Sequence, residues 1–275
     1  MKIVVKVGGT LLEDASSRQR MVAMVAKQVR AGHRVLLVHG GGKLLTSFLD
    51  KAGVKSEFLN GLRVTSADAM DGVVKVFAGT VNHSLLAACV AEGLPAVGIS
   101  GIDGACLLAE KLRGEHGEDW GYVGQITQAD PRVWETLLAG GLLPVMACLA
   151  VGKDGQIYNV NADSAAVACA TGWQADVLVF LTDVDGVRDA AGQRIAHLSV
   201  DEMPALLATG AVTAGMLAKL NAIREAVAAG VGHVHICNGH RENVLDAVLR
   251  ATGERGSDAH TGTVIDSARV ASNIS

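Results

Sequence analysis

Short apolar strands alternate with helical patterns along almost the whole chain, and this alternation limits the fold more than any other feature. Residues 3–7, 34–38, 95–100, 143–151, 177–181 and 233–237 read as strands rich in Val, Ile and Leu. VLVFL at 177–181 is apolar throughout, the pattern of a strand covered on both faces. Helical spacing covers 17–31, 131–139, 162–171, 200–209, 215–229 and 241–250. In the first of these, Met21, Val22, Met24, Val25 and Val29 mark one face, and Gly32 stands where a C′ glycine would end the helix. Asp130-Pro131 predicts an N-cap followed by proline at N1, and Ser199-Val-Asp-Glu202 predicts a capping box. The expected class is therefore α/β, an open, mainly parallel sheet with helices on both faces. The stretch 105–127 breaks the rhythm and predicts a β-hairpin around a polar, Gly-rich connection, and Lys153-Asp154-Gly155 predicts a second, shorter one. No repeat, low-complexity tract or linker divides the halves, so they are expected to share one sheet.

Length and charge remove several function classes. A chain of 275 residues fits one large α/β domain or two intimate lobes. The net charge of −4 disfavours binding to a nucleic-acid backbone, which calls for a basic face. The opening MKIVVKVGG lacks the pattern of a signal peptide, and no apolar run reaches the roughly 18 residues of a membrane span. Cys89, Cys106, Cys148, Cys169 and Cys237 form no CxxC pair, so neither a zinc site nor a redox motif is indicated. They are expected to be buried thiols in a reducing cytoplasm.

Two glycine clusters, Gly8-Gly9 and Gly40-Gly41-Gly42, end predicted strands. Ligands of open α/β sheets bind beyond such strand ends, and backbone N–H groups beside a helix N-terminus suit phosphate or carboxylate. Tight strand-to-helix turns would explain either cluster equally well. Known templates fail: Leu37 breaks a Walker A loop ending at Lys43, and Leu45 breaks a dinucleotide fingerprint starting at Gly40. VAIK, HRD and DFG strings do not occur, and Gly98-Ile99-Ser100-Gly101-Ile102 is not a GxSxG elbow. Asp183-Val184-Asp185-Gly186 lacks the remaining ligands of a calcium loop, and His233 with His235 supplies too few ligands for a metal.

What remains is an ordered set of pieces. Lys6 precedes Gly8-Gly9; NGLRVT spans 60–65, NVNADSAA 159–166, LTDVDGV 181–187 and GMLAKL 215–220, and GTVI closes the set at 262–265. In this order, over nearly the whole chain, they resemble the amino acid kinase family. SGIDG at 100–104 and WGYVG at 120–124 resemble that family's strand end and lid hairpin. The resemblance implies a three-layer sandwich with a β-hairpin lid. An N-terminal lobe, 1–172, would bind an acyl amino acid and dimerise, and a C-terminal lobe, 173–275, would bind nucleotide. The implied activity is ATP-dependent phosphorylation of the γ-carboxylate of N-acetyl-L-glutamate, a step of arginine biosynthesis. The rivals are a related kinase acting on a carrier-linked aminoadipate or glutamate, and a non-catalytic amino-acid sensor with the same fold. Lys6, Asp163 and Lys219 occurring together argue against the sensor.

Phosphoryl transfer asks a protein for alignment and charge neutralisation more than for covalent chemistry. The resemblance assigns Lys6 to the acceptor side and Lys219 to the nucleotide side, with Gly9 beside them. Asp163 would hold both lysines through charge-assisted hydrogen bonds. It is not expected to be a general base, because an acceptor carboxylate is already ionised. Arg63 matches the substrate α-carboxylate with its guanidinium fork, and Asn159 suits the acyl-amino group. Gly41 and Gly42 would offer N–H groups to the γ-carboxylate or the arriving phosphate, while Lys43 only starts a helix. Gly8, Thr182, Asp183, Val184, Gly215 and Met216 are the expected nucleotide contacts, and Mg²⁺ is expected to arrive with ATP. Neither nucleic acid nor membrane is an expected partner. A homodimer is, formed through the helix at 67–80 and its continuation past Asn82. Arginine-inhibited family members tend to carry an additional N-terminal helix. This chain starts almost at its first strand, so the resemblance implies no arginine feedback.

Overall fold

The computed structural model describes residues 1–59, 61–114, 117–253 and 262–267. In chain order it forms β1 (Lys2–Val7), α1 (Ala15–Arg30), β2 (Arg34–His39), α2 (Gly42–Lys51), β3 (Glu57–Leu59), β4 (Leu62–Val64) and α3 (Ala67–Val74). After a π-helical turn at Lys75–Val81 come α4 (Asn82–Ala91), β5 (Ala96–Ser100), β6 (Leu107–Arg113), β7 (Asp119–Ala129), α5 (Arg132–Ala139), β8 (Leu143–Ala147), β9 (Leu149–Val151) and β10 (Ile157–Asn159). The remainder is α6 (Ala162–Trp173), β11 (Val177–Thr182), β12 (His197–Ser199), α7 (Met203–Ala208), α8 (Ala214–Ala228), β13 (His233–Asn238), α9 (Val244–Gly253) and β14 (Thr263–Asp266).

Eight strands pair in the order β12-β14-β13-β11-β1-β2-β8-β5. The six from β13 to β5 are parallel, while β14 runs antiparallel to β13 and carries β12 with it. The sheet is thus mainly parallel, as the sequence predicts, and it crosses both proposed lobes at the β1–β11 ladder. All six residues of β11 are buried, which accounts for its unbroken apolar run. Helices α1, α4 and α9 cover one face, and α5, α6 and α8 the other. The buried side of α6 carries Ala165, Ala166, Cys169 and Ala170, side chains small enough to bring the helix close to β1 and β11. All five cysteines are buried free thiols.

Several local expectations are corrected. The predicted strand at 143–151 is two strands: β8 stays in the main sheet, and after Cys148 the chain enters a small closed ring of β6, β7, β9 and β10. Cys148 is the pivot, donating its N–H to His39 O at 3.1 Å and accepting the Val160 N–H at 3.3 Å. Pro131 is itself the N-cap of α5, with the Asp130 carboxylate accepting the Arg132 N–H at 3.0 Å. The Ser199–Glu202 box forms, with the Ser199 N–H donating to Glu202 Oε2 at 2.8 Å, but it closes a turn, and α7 begins only at Met203. Composition would let the continuous helix Ala67–Ala91 cross a membrane, although it carries Asp68, Asp71 and Lys75; here it packs against α1, β5 and β8.

Both predicted hairpins are present, β6–β7 and β9–β10. The first is stitched to the exit of β4. Thr65 donates to Trp120 O at 2.9 Å and accepts from the Tyr122 N–H at 2.7 Å, and Trp120 Nε1 donates to Leu59 O at 3.0 Å. Gly121 permits this approach: its φ is +68°, and any Cβ would collide with the Thr65 carbonyl.

Candidate active site

The parallel register brings the C-terminal ends of β13, β11, β1 and β2 side by side, so Asn238, Thr182, Val7 and His39 share one edge. Asp163 reaches this edge from the first turn of α6. Its place is set by Asn161, whose Oδ1 accepts the N–H groups of Asp163 at 2.8 Å and Ser164 at 3.1 Å. Lys6 and Lys219, far apart in sequence, converge on this carboxylate. Lys219 Nζ donates to Oδ2 at 2.6 Å, and Lys6 Nζ lies 2.7 Å from Oδ1. Both contacts are ion pairs. Lys219 also lies 4.7 Å from the centroid of the Phe180 ring.

Side-chain exposure is 12% for Lys6, 18% for Asp163 and 10% for Lys219, so water screens the trio little. Burial pushes the Asp163 carboxyl up, but the two ammonium groups and their hydrogen bonds outweigh it and leave the group at about 2. Burial and the neighbouring Lys6 charge pull Lys219 below the ordinary lysine value, against the opposing pull of Asp163.

A cavity of about 220 Å³ adjoins Lys6. Gly9, Gly41 and Gly42 line it together with Lys6, and Arg63 and Asn159 are also in its wall. Arg63 is 8% exposed, and its described hydrogen bonds go to neutral groups: Ser56 Oγ, Thr46 Oγ1 at 2.6 Å and Gly42 O at 3.3 Å. The Phe58 ring covers the guanidinium at 4.6 Å. A desolvated guanidinium without a carboxylate in its immediate shell can receive an anionic ligand. Asn159 Nδ2 donates to Thr65 Oγ1 at 3.0 Å, which leaves its Oδ1 to accept from a ligand. A second hollow of about 730 Å³ opens between β7, α6 and α8; it touches Asp163 and Gly215 and shares Gly61, Leu62, Val123 and Asn161 with the first.

The expected nucleotide residues gather beyond β11 and at the start of α8. Thr182 Oγ1 accepts the Val184 N–H at 3.1 Å and shapes the loop, while Asp183 is exposed and its charge is felt at Lys219. Gly215 and Met216 lie in the first turn of α8, capped by Thr213, and added atoms at Gly215 would meet nothing. Gly8 departs from expectation. Its N–H is taken by Leu181 O at 2.7 Å, and a Cβ would lie 2.9 Å from that same oxygen. Gly8 thus lets β1 and β11 approach and has no N–H left for phosphate. Lys43 lies in the first turn of α2, paired with Glu13 at 2.7 Å.

Sequence reasoning missed the buried groups behind this wall. His39 is fully buried; Nδ1 lies 2.8 Å from Gly40 O and Nε2 lies 3.0 Å from Asn82 Nδ2. Burial holds His39 down at about 4, so the ring is neutral. Thr65, fully buried, anchors both Asn159 and the lid. A histidine ending an all-apolar strand was the available signal for the first. Nothing in the sequence marks Phe58 as lying over Arg63.

This fold and this lysine–aspartate–lysine arrangement define a phosphotransferase of amino acid kinase type. The sequence model of the amino acid kinase family matches residues 1–238, and the chain belongs to that family. Among its relatives, an acetylglutamate kinase from Solibacter usitatus is 47% identical over 249 residues, covering 90% of this chain and 95% of the relative. One from Acidobacterium capsulatum is 45% identical over 258 residues, 94% and 98% of the two chains. Among solved structures, smu.665 from Streptococcus mutans superposes with a TM-score of 0.81 at 28% identity, covering 97% of this chain and 99% of the other. N-acetylglutamate synthase from Neisseria gonorrhoeae, solved with coenzyme A and N-acetyl-glutamate, superposes at 0.83 with 26% identity; the match covers 98% of this chain and 60% of that one.

Proposed function

We propose that this protein transfers the γ-phosphoryl group of ATP to the γ-carboxylate of N-acetyl-L-glutamate, giving N-acetyl-L-glutamyl 5-phosphate, a step of arginine biosynthesis. The observation that carries the reading is the pair of lysines, far apart in the chain, held on one ionised carboxylate beside a cavity walled by Arg63. Relatives named acetylglutamate kinase, matched along nine-tenths of this chain, support the choice of acceptor.

In this reading a γ-carboxylate oxygen attacks the γ-phosphorus, an O–P bond forms, and the P–O bond to ADP breaks. The attacking oxygen carries no proton, so no base is required, and Asp163 at about 2 remains a charged anchor throughout. Lys6 and Lys219 offset charge on the acceptor side and the nucleotide side of the moving group. Arg63 fixes the α-carboxylate and Asn159 the acyl-amino group. Gly9, Gly41 and Gly42 give room and N–H groups to the reacting oxygens. Thr182, Asp183, Val184, Gly215 and Met216 border the nucleotide, Gly8 contributing by packing alone.

The lobe at 1–172 would thus bind acceptor, and that at 173–275 nucleotide. No group of three His, Cys, Asp or Glu side chains able to hold a metal is gathered among the described residues, and Mg²⁺ is proposed to enter on the phosphates. A cytoplasmic homodimer is proposed, with the apolar helix Ala67–Ala91, whose Val90 is 77% exposed, at the interface. Monomers in light scattering would refute it.

The deciding experiment is a coupled assay offering free N-acetyl-L-glutamate beside carrier-linked aminoadipate and glutamate, run on the wild type, Lys6→Ala and Lys219→Ala. Free acetylglutamate should be the substrate, and each variant should lose about 10²–10³ in turnover while remaining folded. Near-wild-type turnover in either variant, or preference for a carrier-linked acceptor, would overturn the reading.

A further inference from the structure

We propose that His39 and Asn82 are positioning residues that aim the Gly41 and Gly42 amides into the acceptor cavity, an inference that rests on the phosphotransferase reading above. Neither side chain lines the cavity, and both are buried. Their effect therefore passes through the glycines.

The argument begins at Val145, a β8 residue whose carbonyl can only accept. Asn82 Nδ2 lies 2.9 Å from that oxygen, which fixes which end of the amide points there. The same nitrogen is 3.0 Å from His39 Nε2, so Nε2 must accept. The ring proton is therefore on Nδ1, where it is donated to Gly40 O at 2.8 Å. Each link has one permitted direction, and the chain ends by holding the Gly40 carbonyl against the ring.

The peptide between Gly40 and Gly41 is trans, so its N–H points opposite to its C=O. Holding that carbonyl turns the Gly41 N–H the other way. Gly41 and Gly42 both line the cavity with Lys6, and neither N–H bonds to another described residue. The surroundings are built to the same end. The π-helical turn at Lys75–Val81 delivers Asn82 to His39 and packs Phe77 and Val81 on Gly41, where a Cβ would lie 2.8 Å from Val81 Cγ2. Gly98 leaves space for the Asn82 amide, which an added Cβ would strike. A glycine loop has no side chains of its own to fix its direction, so neighbouring groups must do so.

The test uses the full-length protein. In long-range ¹H–¹⁵N spectra, one buried ring should carry its proton on Nδ1 and vanish in His39→Leu. In turnover, His39→Leu should lower kcat by about 30-fold or more while KM for ATP stays within about threefold. His39→Asn places its amide nitrogen near Nδ1 and should recover most of the loss. His39→Gln places it near Nε2 and should not. A merely structural role would rank these variants by melting temperature rather than by where the nitrogen sits. A ring protonated at Nε2, a Leu variant with wild-type kcat, or an Asn variant no better than Gln would each overturn the proposal. Should the wild type transfer nothing to acetylglutamate, the functional reading fails. The positioning claim is then decided by the ring tautomer and by the Gly41 and Gly42 amide shifts. Those shifts must move in His39→Leu and return in His39→Asn, and unmoved shifts refute it.

Discussion

Asp163→Asn probes the charge that binds the two lysines, because it keeps the size of the side chain while removing the anion and turning one acceptor oxygen into an NH2 donor. A carboxyl lowered from 3.8 to about 2 stabilises the folded state by about 2 kcal/mol at neutral pH, at about 1.36 kcal/mol per pH unit. The group is only 18% exposed, so solvent screening takes little from this figure. Removing one member of a buried ion pair costs about 3–5 kcal/mol in other proteins, so the expected loss at pH 7 is about 2–5 kcal/mol. The sign of the pH dependence follows from the lowered folded-state value. The stabilisation is complete above the unfolded value near 4 and fades as pH falls towards 2. It should be nearly constant from pH 7 to 5 and fall to roughly half by pH 3. Urea unfolding of wild type and variant at pH 7, 5, 4 and 3 measures this difference directly. Turnover of the variant should drop by about 10² or more, because both ammonium groups lose their anchor. A stability difference that stays flat from pH 7 to pH 3, or a variant as stable as the wild type, would refute the linkage of Asp163 to the two lysines.

Arg63→Ala should raise KM for N-acetyl-L-glutamate by about 10²-fold and leave KM for ATP within about threefold, since a charged hydrogen-bond pair to one substrate is lost. Equal effects on both substrates in steady-state kinetics would place Arg63 elsewhere. Phe58→Ala uncovers the guanidinium and should raise the same KM by about 3–10-fold, the scale of one cation–π contact, with the melting temperature unchanged because the ring is 59% exposed. Gly121→Ala should free the lid hairpin from Thr65, since its φ of +68° and the adjacent carbonyl both oppose a side chain. Faster amide exchange at Tyr122 and Thr65 is the expected readout, and unchanged exchange would count against the pinning.

The parallel sheet was legible because β11 is buried on both faces, and such a strand must be apolar at every position. The same property hid the break at Cys148. An apolar run reads identically whether it stays in one sheet or crosses into another, and only its partners, His39 O and the Val160 N–H, show the change. Lys6, Asp163 and Lys219 were legible through family resemblance alone, because periodicity carries no information about a contact between α6, β1 and α8. Gly8 shows the converse limit. Its sequence context suits a phosphate loop, but only the pairing of β1 with β11 shows that its N–H is already engaged. His39 and Asn82 form one unit that spans a strand and a helix, and neither residue announces the other in sequence.

An ammonium group has three donors, and Asp163 occupies one direction on each lysine. In the proposed reaction two would remain on each for oxygens of the transferred group. Two positive charges and one negative charge leave the trio with a net charge of +1, into which a carboxylate and a polyphosphate would arrive. Without Asp163 the two cations would repel across a poorly screened gap, and burial together with Lys6 already draws Lys219 downward. The carboxylate therefore offsets that repulsion and keeps both lysines in place while the site awaits its substrates. The donors need no reorganisation when charge develops on the phosphoryl oxygens, the condition under which electrostatic stabilisation is strongest. A carboxylate serving this end must resist protonation, and a value of about 2 ensures that it does at any pH near neutrality.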